Sequence, residues 1–259
     1  MIACRSKSEL ERLRAANLLV ARVLSLLKDA VAAGVTTATL DALAERTIRQ
    51  AGALPAFKGY HGYPATICAS INEQVVHGVP SDRKLVDGDI ISIDLGVLLD
   101  GYYGDAAVTV PVGRIAHESA ALLRVTEESL WKAIEKVKVG ARVSDIGHAV
   151  QHHVETHGFS VVREFVGHGV GTALHEEPQI PNYGDPGRGP RLAEGMVLAI
   201  EPMVNMGKPA IKVLSDGWTA VTQDGSLSAH FEHTVAVSIA GPVVLSALEA
   251  PAQEAAVRS

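Results

Sequence analysis

Apolar residues recur at helical spacing over Ser8–Ala33, at Leu10, Leu13, Leu18, Val20, Val23, Leu24, Leu27 and Val31. The spacing predicts a long amphipathic helix, opened by a Ser8/Glu11 capping box and closed at Gly34. A second helix is predicted over Thr37–Gln50, with Leu40, Leu43 and Ile48 as its stripe and Gly52 as its stop. The same layout returns over Glu118–Val137, ending at Gly140, and over Ser144–His157, ending at Gly158. Gly34 to Gly52 and Gly140 to Gly158 are both 18 apart, and the copies are offset by 140 − 34 = 106, which puts Leu40 in register with Ile146. An extended segment follows each pair. The chain therefore reads as one pseudo-symmetric domain over 1–259, with halves of approximately 1–113 and 114–250.

The strand signals are alternating or continuous apolar runs. Asp89–Leu99 and Tyr102–Val112 flank Asp100-Gly101, a hairpin turn signal. Met196–Val204 and Phe231–Val237 are further β-like runs, 182–190 reads as a loop, and the Ala/Glu-rich tail after Pro242 is expected to fray.

Composition narrows the class. Hydrophobic residues are 47% and charged residues 20% of 259, which excludes disorder or a coiled coil as whole-chain readings. A net charge of −6 and 4% aromatics disfavour broad nucleic-acid binding. Two cysteines, Cys4 and Cys68, make no disulfide framework and suggest a reducing, cytoplasmic compartment. Charges occupy the N-terminus where a signal peptide would be apolar, and Arg22 interrupts the best apolar run, Ala15–Leu27, so neither a leader nor a membrane span is expected.

The candidate chemistry lies on the strands. Asp94 and Asp105 are 105 − 94 = 11 apart, and their midpoint falls between Leu99 and Asp100, beside the turn. Antiparallel pairing would set them opposite each other on one face, with Cβ atoms about 5 Å apart. Two opposed carboxylates repel unless a cation lies between them, and Asp94 sits in an apolar strand where bare charge is expensive. His168 and His175 are seven apart in the glycine-rich VGHGVGTALHEEP, Glu201 ends MVLAIEP, and Glu232 lies in HFEHTVAV. Four carboxylates and an imidazole beside strands suit paired divalent ions. Gly167–Gly171 lacks the register of a dinucleotide loop, and the i,i+4 pairs His148/His152 and His153/His157 read as a solvated helix face. Ser70 and Ser81 have no triad order, and Cys68 reads as a small core residue.

Five stretches, 59–80 (GYHGYPATICASINEQVVHGVP), 89–110, 166–184, 194–207 and 216–237, together resemble type I methionine aminopeptidases in order and spacing over nearly the whole chain. The resemblance implies an α+β pita-bread (creatinase/aminopeptidase-like) fold: a curved antiparallel sheet covered by helices, in two pseudo-symmetric halves. It places Asp94, Asp105, His168, Glu201 and Glu232 on five ligands of a dinuclear site for Co, Mn, Fe, Zn or Ni. Asp105 and Glu232 fall on the bridging positions, His168 and Glu201 complete one site, and Asp94 belongs to the other.

By the same carry-over His77, His175 and Glu201 are catalytic. Tyr60, Tyr63, Cys68, His77 and Trp218 line a methionine pocket with His175, Phe57 and Leu174. Phe57 stands where a small residue is usual, Leu174 where an aromatic or Met is usual, and Gly96 where a hydroxyl residue is usual. The implied activity is removal of N-terminal methionine from nascent chains with a small second residue, through a metal-bridged hydroxide. The implied substrate partner is that N-terminus; a ribosome contact is left open. No specific nucleic acid or membrane partner is expected, and a monomer is. The competing readings are an X-Pro aminopeptidase or prolidase, whose extra N-terminal domain is not expected in a chain with about 90 residues before Asp94, and a non-enzymatic nascent-chain-binding member, which would have lost ligands.

Overall fold

The computed structural model describes residues 2–248. Helices α1 (Lys7–Ala30), α2 (Thr37–Gln50), α3 (His117–Ile134) and α4 (Val143–Thr156) form two successive pairs. Gly34, Gly52, Gly140 and Gly158 all stand at positive φ just after their helices, where a Cβ would be strained. Helix α1 begins earlier than the sequence suggests. Its capping box is Ser6/Glu9, with the Ser6 amide donating to Glu9 and the Glu9 amide to the Ser6 hydroxyl. The Arg5 amide, tied to the Gly195 carbonyl at 2.7 Å, fixes where the chain enters the helix. The buried stripe of α1 runs through Leu19 rather than Leu18 and includes a polar residue, Asn17.

Helices α1 and α2 pack on the first hairpin through Val20, Leu27, Leu40, Ile48, Ile93 and Leu95. Helices α3 and α4 pack on the second-half strands through Leu122, Leu130, Ile146, Val150, Leu198 and Ile200. Burying each such side chain fully contributes about 1.5–3 kcal/mol before entropy is counted.

The hairpin joins Ile90–Leu99 to Tyr102–Pro111. Leu99 pairs with Tyr102 across Asp100-Gly101, both at positive φ, as a two-residue primed turn demands. This turn centres the hairpin one residue later than the midpoint of the two aspartates. Asp94 therefore pairs with Ala107 and Asp105 with Gly96, so the carboxylates are diagonal neighbours rather than directly opposed. They still share a face, because positions 94 and 96 point the same way.

The run Met196–Val204 is not one strand. It is Val197–Ile200 and Met203–Asn205, separated at Glu201-Pro202. Its neighbour breaks likewise into Ser228–His230 and His233–Ser238, separated at Phe231-Glu232. Ile200 pairs with His233 in one sheet and Met203 with His230 in another. Glu201 and Glu232 thus stand at twin crossings between two antiparallel sheets, where Pro202 has no N–H to continue a ladder. The Glu232 amide donates instead to the Ala107 carbonyl at 2.9 Å, joining this crossing to the hairpin. The stretch after Pro242 does not fray at once: Gly241–Val244 pairs with the preceding strand and Leu245 is buried. Residues 249–259 of that tail lie outside the described residues.

Candidate metal centre and active-site pocket

The carboxylates Asp94, Asp105, Glu201 and Glu232 and the imidazole of His168 line one cavity of ≈ 240 Å³. Its rim and apolar end are made by Phe57, Tyr60, Tyr63, Cys68, Leu174 and Trp218, with His77 and His175 between the two ends. Every candidate residue from the sequence therefore meets in one place. His61, which the sequence reading passed over, joins them there; it adopts φ 48 beside Tyr60, with the ring centroids 4.4 Å apart.

Single ligand atoms of Asp105, His168 and Glu232 lie within 4.8 Å of one another. Among the described residues, Asp94 Oδ1, Asp105 Oδ1 and Glu232 Oε1 are buried without a hydrogen-bond partner. Burial pushes all four carboxyls up from their ordinary range, and mutual repulsion raises Asp105, Glu201 and Glu232 further. Orphaned carboxylate oxygens this close are what a cation would satisfy.

His168 presents the complementary lone pair. Its Nδ1 lies 2.9 Å from the Gly169 carbonyl, which can only accept, so Nδ1 carries the proton and Nε2 is bare. That Nε2 stands 3.5 Å from Glu201 Oε1 and 3.9 Å from Asp105 Oδ2. Burial, with His175 nearby, holds His168 down at about 4, which keeps it in the neutral, ligating form. Gly167 and Gly169 serve strand contact rather than phosphate binding, since a Cβ on either would strike the Ala199 or Glu177 backbone.

Supporting residues are spread through the chain. The Asn17 Oδ1 accepts from the Asp105 amide at 3.3 Å, and the Thr234 hydroxyl donates to the Asp105 carbonyl at 2.7 Å. Asn182 donates to the Glu201 carbonyl at 2.9 Å. The Glu176 carboxylate accepts from the Thr172 and Ala173 amides and from Arg5, which orders the loop that carries Leu174 and His175. The one signal for Asn17 in the sequence is a polar residue at a stripe position. Arg5 carries none, being far from Glu176 along the chain.

At the apolar end, Tyr63 and Trp218 meet edge to face at 5.1 Å, beside Cys68, whose thiol burial pushes up. The Tyr60 hydroxyl lies 2.8 Å from His175 Nδ1. His77 holds φ 59, a strained backbone for a non-glycine residue, and burial together with His175 lowers it to about 4. The helix-face histidines stay apart from this centre: His153 bonds the half-buried Glu128, which Arg124 also holds.

Residues 11–238 match the profile of Metallopeptidase family M24. The chain belongs to metallopeptidase family M24. It is 52% identical over 250 residues to the methionine aminopeptidase of Clostridium acetobutylicum, covering 96% of this chain and 100% of that one. The crystal structure of methionine aminopeptidase from Thermotoga maritima superposes with a TM-score of 0.94 at 47% identity, over 95% of this M24 chain and 100% of that one. The prolidase from Pyrococcus horikoshii superposes at 0.77 with 24% identity, over 95% and 64%, a likeness of fold. The architecture is the pita-bread fold. As a metallopeptidase the M24 chain uses divalent metal, and the orphaned carboxylates facing a bare imidazole nitrogen fit such an ion.

Proposed function

We propose that this M24 chain removes the N-terminal methionine from peptides and nascent proteins, with a preference for a small second residue. The observation that carries the reading is the junction of two environments in one cavity: a buried acidic cluster with unsatisfied oxygens, and an apolar end closed by Tyr63, Cys68 and Trp218. An unbranched thioether fits the second beside chemistry at the first. In this reading Asp94, Asp105, His168, Glu201 and Glu232 would hold two divalent ions, with Asp105 and Glu232 at the positions the two would share. When bound, the ions supply Lewis-acid polarisation of the scissile carbonyl and acidification of water. The two helix-pair halves act as one catalytic domain.

The chain's own groups do the proton handling. Glu201 takes a proton at its carboxylate from the attacking water and passes it to the leaving amine. In this reading the Tyr60 hydroxyl, 2.8 Å from His175 Nδ1, donates to it, the proton of the neutral ring sits on Nε2, and His175 is a donor to the developing oxyanion. Burial lowers His175, with His61 adding to it, so a neutral donor is the form present at pH 7. His77 holds the substrate near the scissile amide. The apolar wall excludes water from the side-chain end.

The deciding experiment reconstitutes chelated protein with Mn, Fe, Co and Zn in turn and compares Met-Ala-Ser with Xaa-Pro peptides. Cleavage of Met-Ala-Ser, with Xaa-Pro untouched, is expected. The reverse preference would move the chain to the X-Pro-cleaving branch of the fold.

A further inference from the structure

His230 is a buried polar residue that the mechanism above leaves unused. It ends the strand Ser228–His230 two positions before Glu232 and is 2% exposed. Its backbone is pinned twice by Thr109, whose hydroxyl accepts from the His230 amide at 2.8 Å and donates to the His230 carbonyl at 2.7 Å. The single hydroxyl proton of Thr109 is thereby used, so Ser92, 2.8 Å away, must donate to Thr109. This knot ties the hairpin to the crossing strand and fixes the backbone from which the ring of His230 projects.

The ring itself has an open valence. Among the described residues, His230 Nε2 is buried with no hydrogen-bond partner, and such a group in a native core needs a reason. It stands 3.7 Å from Glu201 Oε2. The other oxygen of that carboxylate, Oε1, faces His168 Nε2, which is a bare lone pair and can donate nothing. Glu201 thus lies between two imidazoles of opposite character, one shaped to share a cation with it and one able to give it an N–H.

We infer that His230 is a positioning residue for Glu201: its Nε2–H donates to Glu201 Oε2 and so aims Oε1 at the centre beside His168. The inference rests on the reading of Glu201 as ligand and proton carrier. The present 3.7 Å needs to close by under an ångström, the kind of tightening that active sites undergo when loaded. A carboxylate oriented in this way keeps one oxygen for the ion and has its second oxygen held in place by a donor, as partners behind metal ligands do elsewhere.

The test uses His230→Leu, which fills the space without a donor, and His230→Gln, which restores an N–H. Two readouts are taken: Mn²⁺ affinity of the chelated protein by calorimetry, and kcat and KM for Met-Ala-Ser. His230→Leu is expected to weaken Mn²⁺ binding by about 10–100-fold, the usual effect of losing a partner behind a ligand. It is expected to lower kcat while leaving KM within about twofold, and His230→Gln to recover most of both. On a Glu201→Gln background, His230→Leu should change Mn²⁺ affinity no further, because the residue it acts through is already altered. Wild-type Mn²⁺ affinity and kcat in His230→Leu would overturn the inference. So would equal losses in the Leu and Gln variants, or an undiminished effect on the Glu201→Gln background. If His230→Leu does not fold, His230→Met replaces it. Failure of the loaded wild type to cleave Met-Ala-Ser would sink the proposed function, while the Mn²⁺ comparison would still decide the role of His230.

Discussion

A Cβ placed on Gly96 would lie 2.8 Å from Cε1 of Phe57 and 3.0 Å from Cβ of Ala56. Phe57 and Gly96 are therefore one feature: the missing side chain on the hairpin makes room for the ring. Gly96→Ala is expected to destabilise by about 1–3 kcal/mol, the cost of forcing extra volume into a packed wall. Combined with Phe57→Ala it should cost clearly less than the sum of the two single changes. Denaturant melts of the four proteins measure this, and strict additivity would show that ring and glycine do not compete for the same space.

Asp105→Asn separates the acidic cluster from the fold. Asp105 is held by its backbone to Asn17 and Thr234, and the substitution leaves those bonds in place. It also removes one of four mutually repelling carboxyls. The chelated variant should melt no lower than chelated wild type, yet fail to retain two ions and lose turnover. Metal content by mass spectrometry together with a melt checks both halves. Two retained ions with near-native turnover would remove Asp105 from the shared position.

Loading and pH are coupled with a definite sign. Asp94, Asp105, Glu201 and Glu232 have folded values above their ordinary 3.8 and 4.5. Without metal the folded state binds more protons than the unfolded one, so their contribution to stability falls as pH rises. Buried His77, His168 and His230 sit at about 4, 4 and 3 against an ordinary 6.5, and act oppositely between those values and 6.5. Above about pH 7.5 the histidines are neutral in both states and only the carboxyls of this centre still act. Chelated protein should therefore lose stability from about pH 7.5 to 8.5, and the gap in melting temperature to metal-loaded protein should widen. At a hundred times Kd the loaded form gains about 2.7 kcal/mol. Metal binding should also release protons, read as a dependence of calorimetric heat on buffer ionisation enthalpy. A gap that narrows with pH would contradict the protonated cluster.

His175→Ala distinguishes proton handling from ligation. The ring is held through Nδ1 by Tyr60, and its loop is ordered by Glu176 and Arg5, so neither bond depends on an ion. The variant should keep its metal and melt near wild type, while kcat falls by roughly 10²–10⁴, or about 2.7–5.4 kcal/mol in the barrier. Loss of metal would make His175 a ligand. Loss of stability with unchanged kcat would make it a structural residue.

Much of this centre is legible along the chain, for reasons that are local. Helices α1 to α4 follow from apolar spacing and the glycines behind them, and Asp100-Gly101 specifies its own turn. Carboxylates inside apolar runs stand out because lone buried charge is expensive, so Asp94, Glu201 and Glu232 mark themselves. The diagonal register of Asp94 and Asp105 was within reach too, since a two-residue primed turn has one centre and admits one pairing. The twin crossings at Glu201 and Glu232 were not, because a strand that changes sheets looks the same in sequence as one that continues. Nor were Arg5 behind His175, Asn17 behind Asp105, His61 in the pocket wall, or His230 facing Glu201. Arg5 meets Glu176 across the two halves, while Asn17 meets Asp105 and His230 meets Glu201 within one half, and contacts between residues that far apart in the chain are set by how helices and sheets pack on one another. Sequence by itself determined which groups are chemically unusual; tertiary packing decided which of them face each other, because distance and desolvation exist only once the sheets have met.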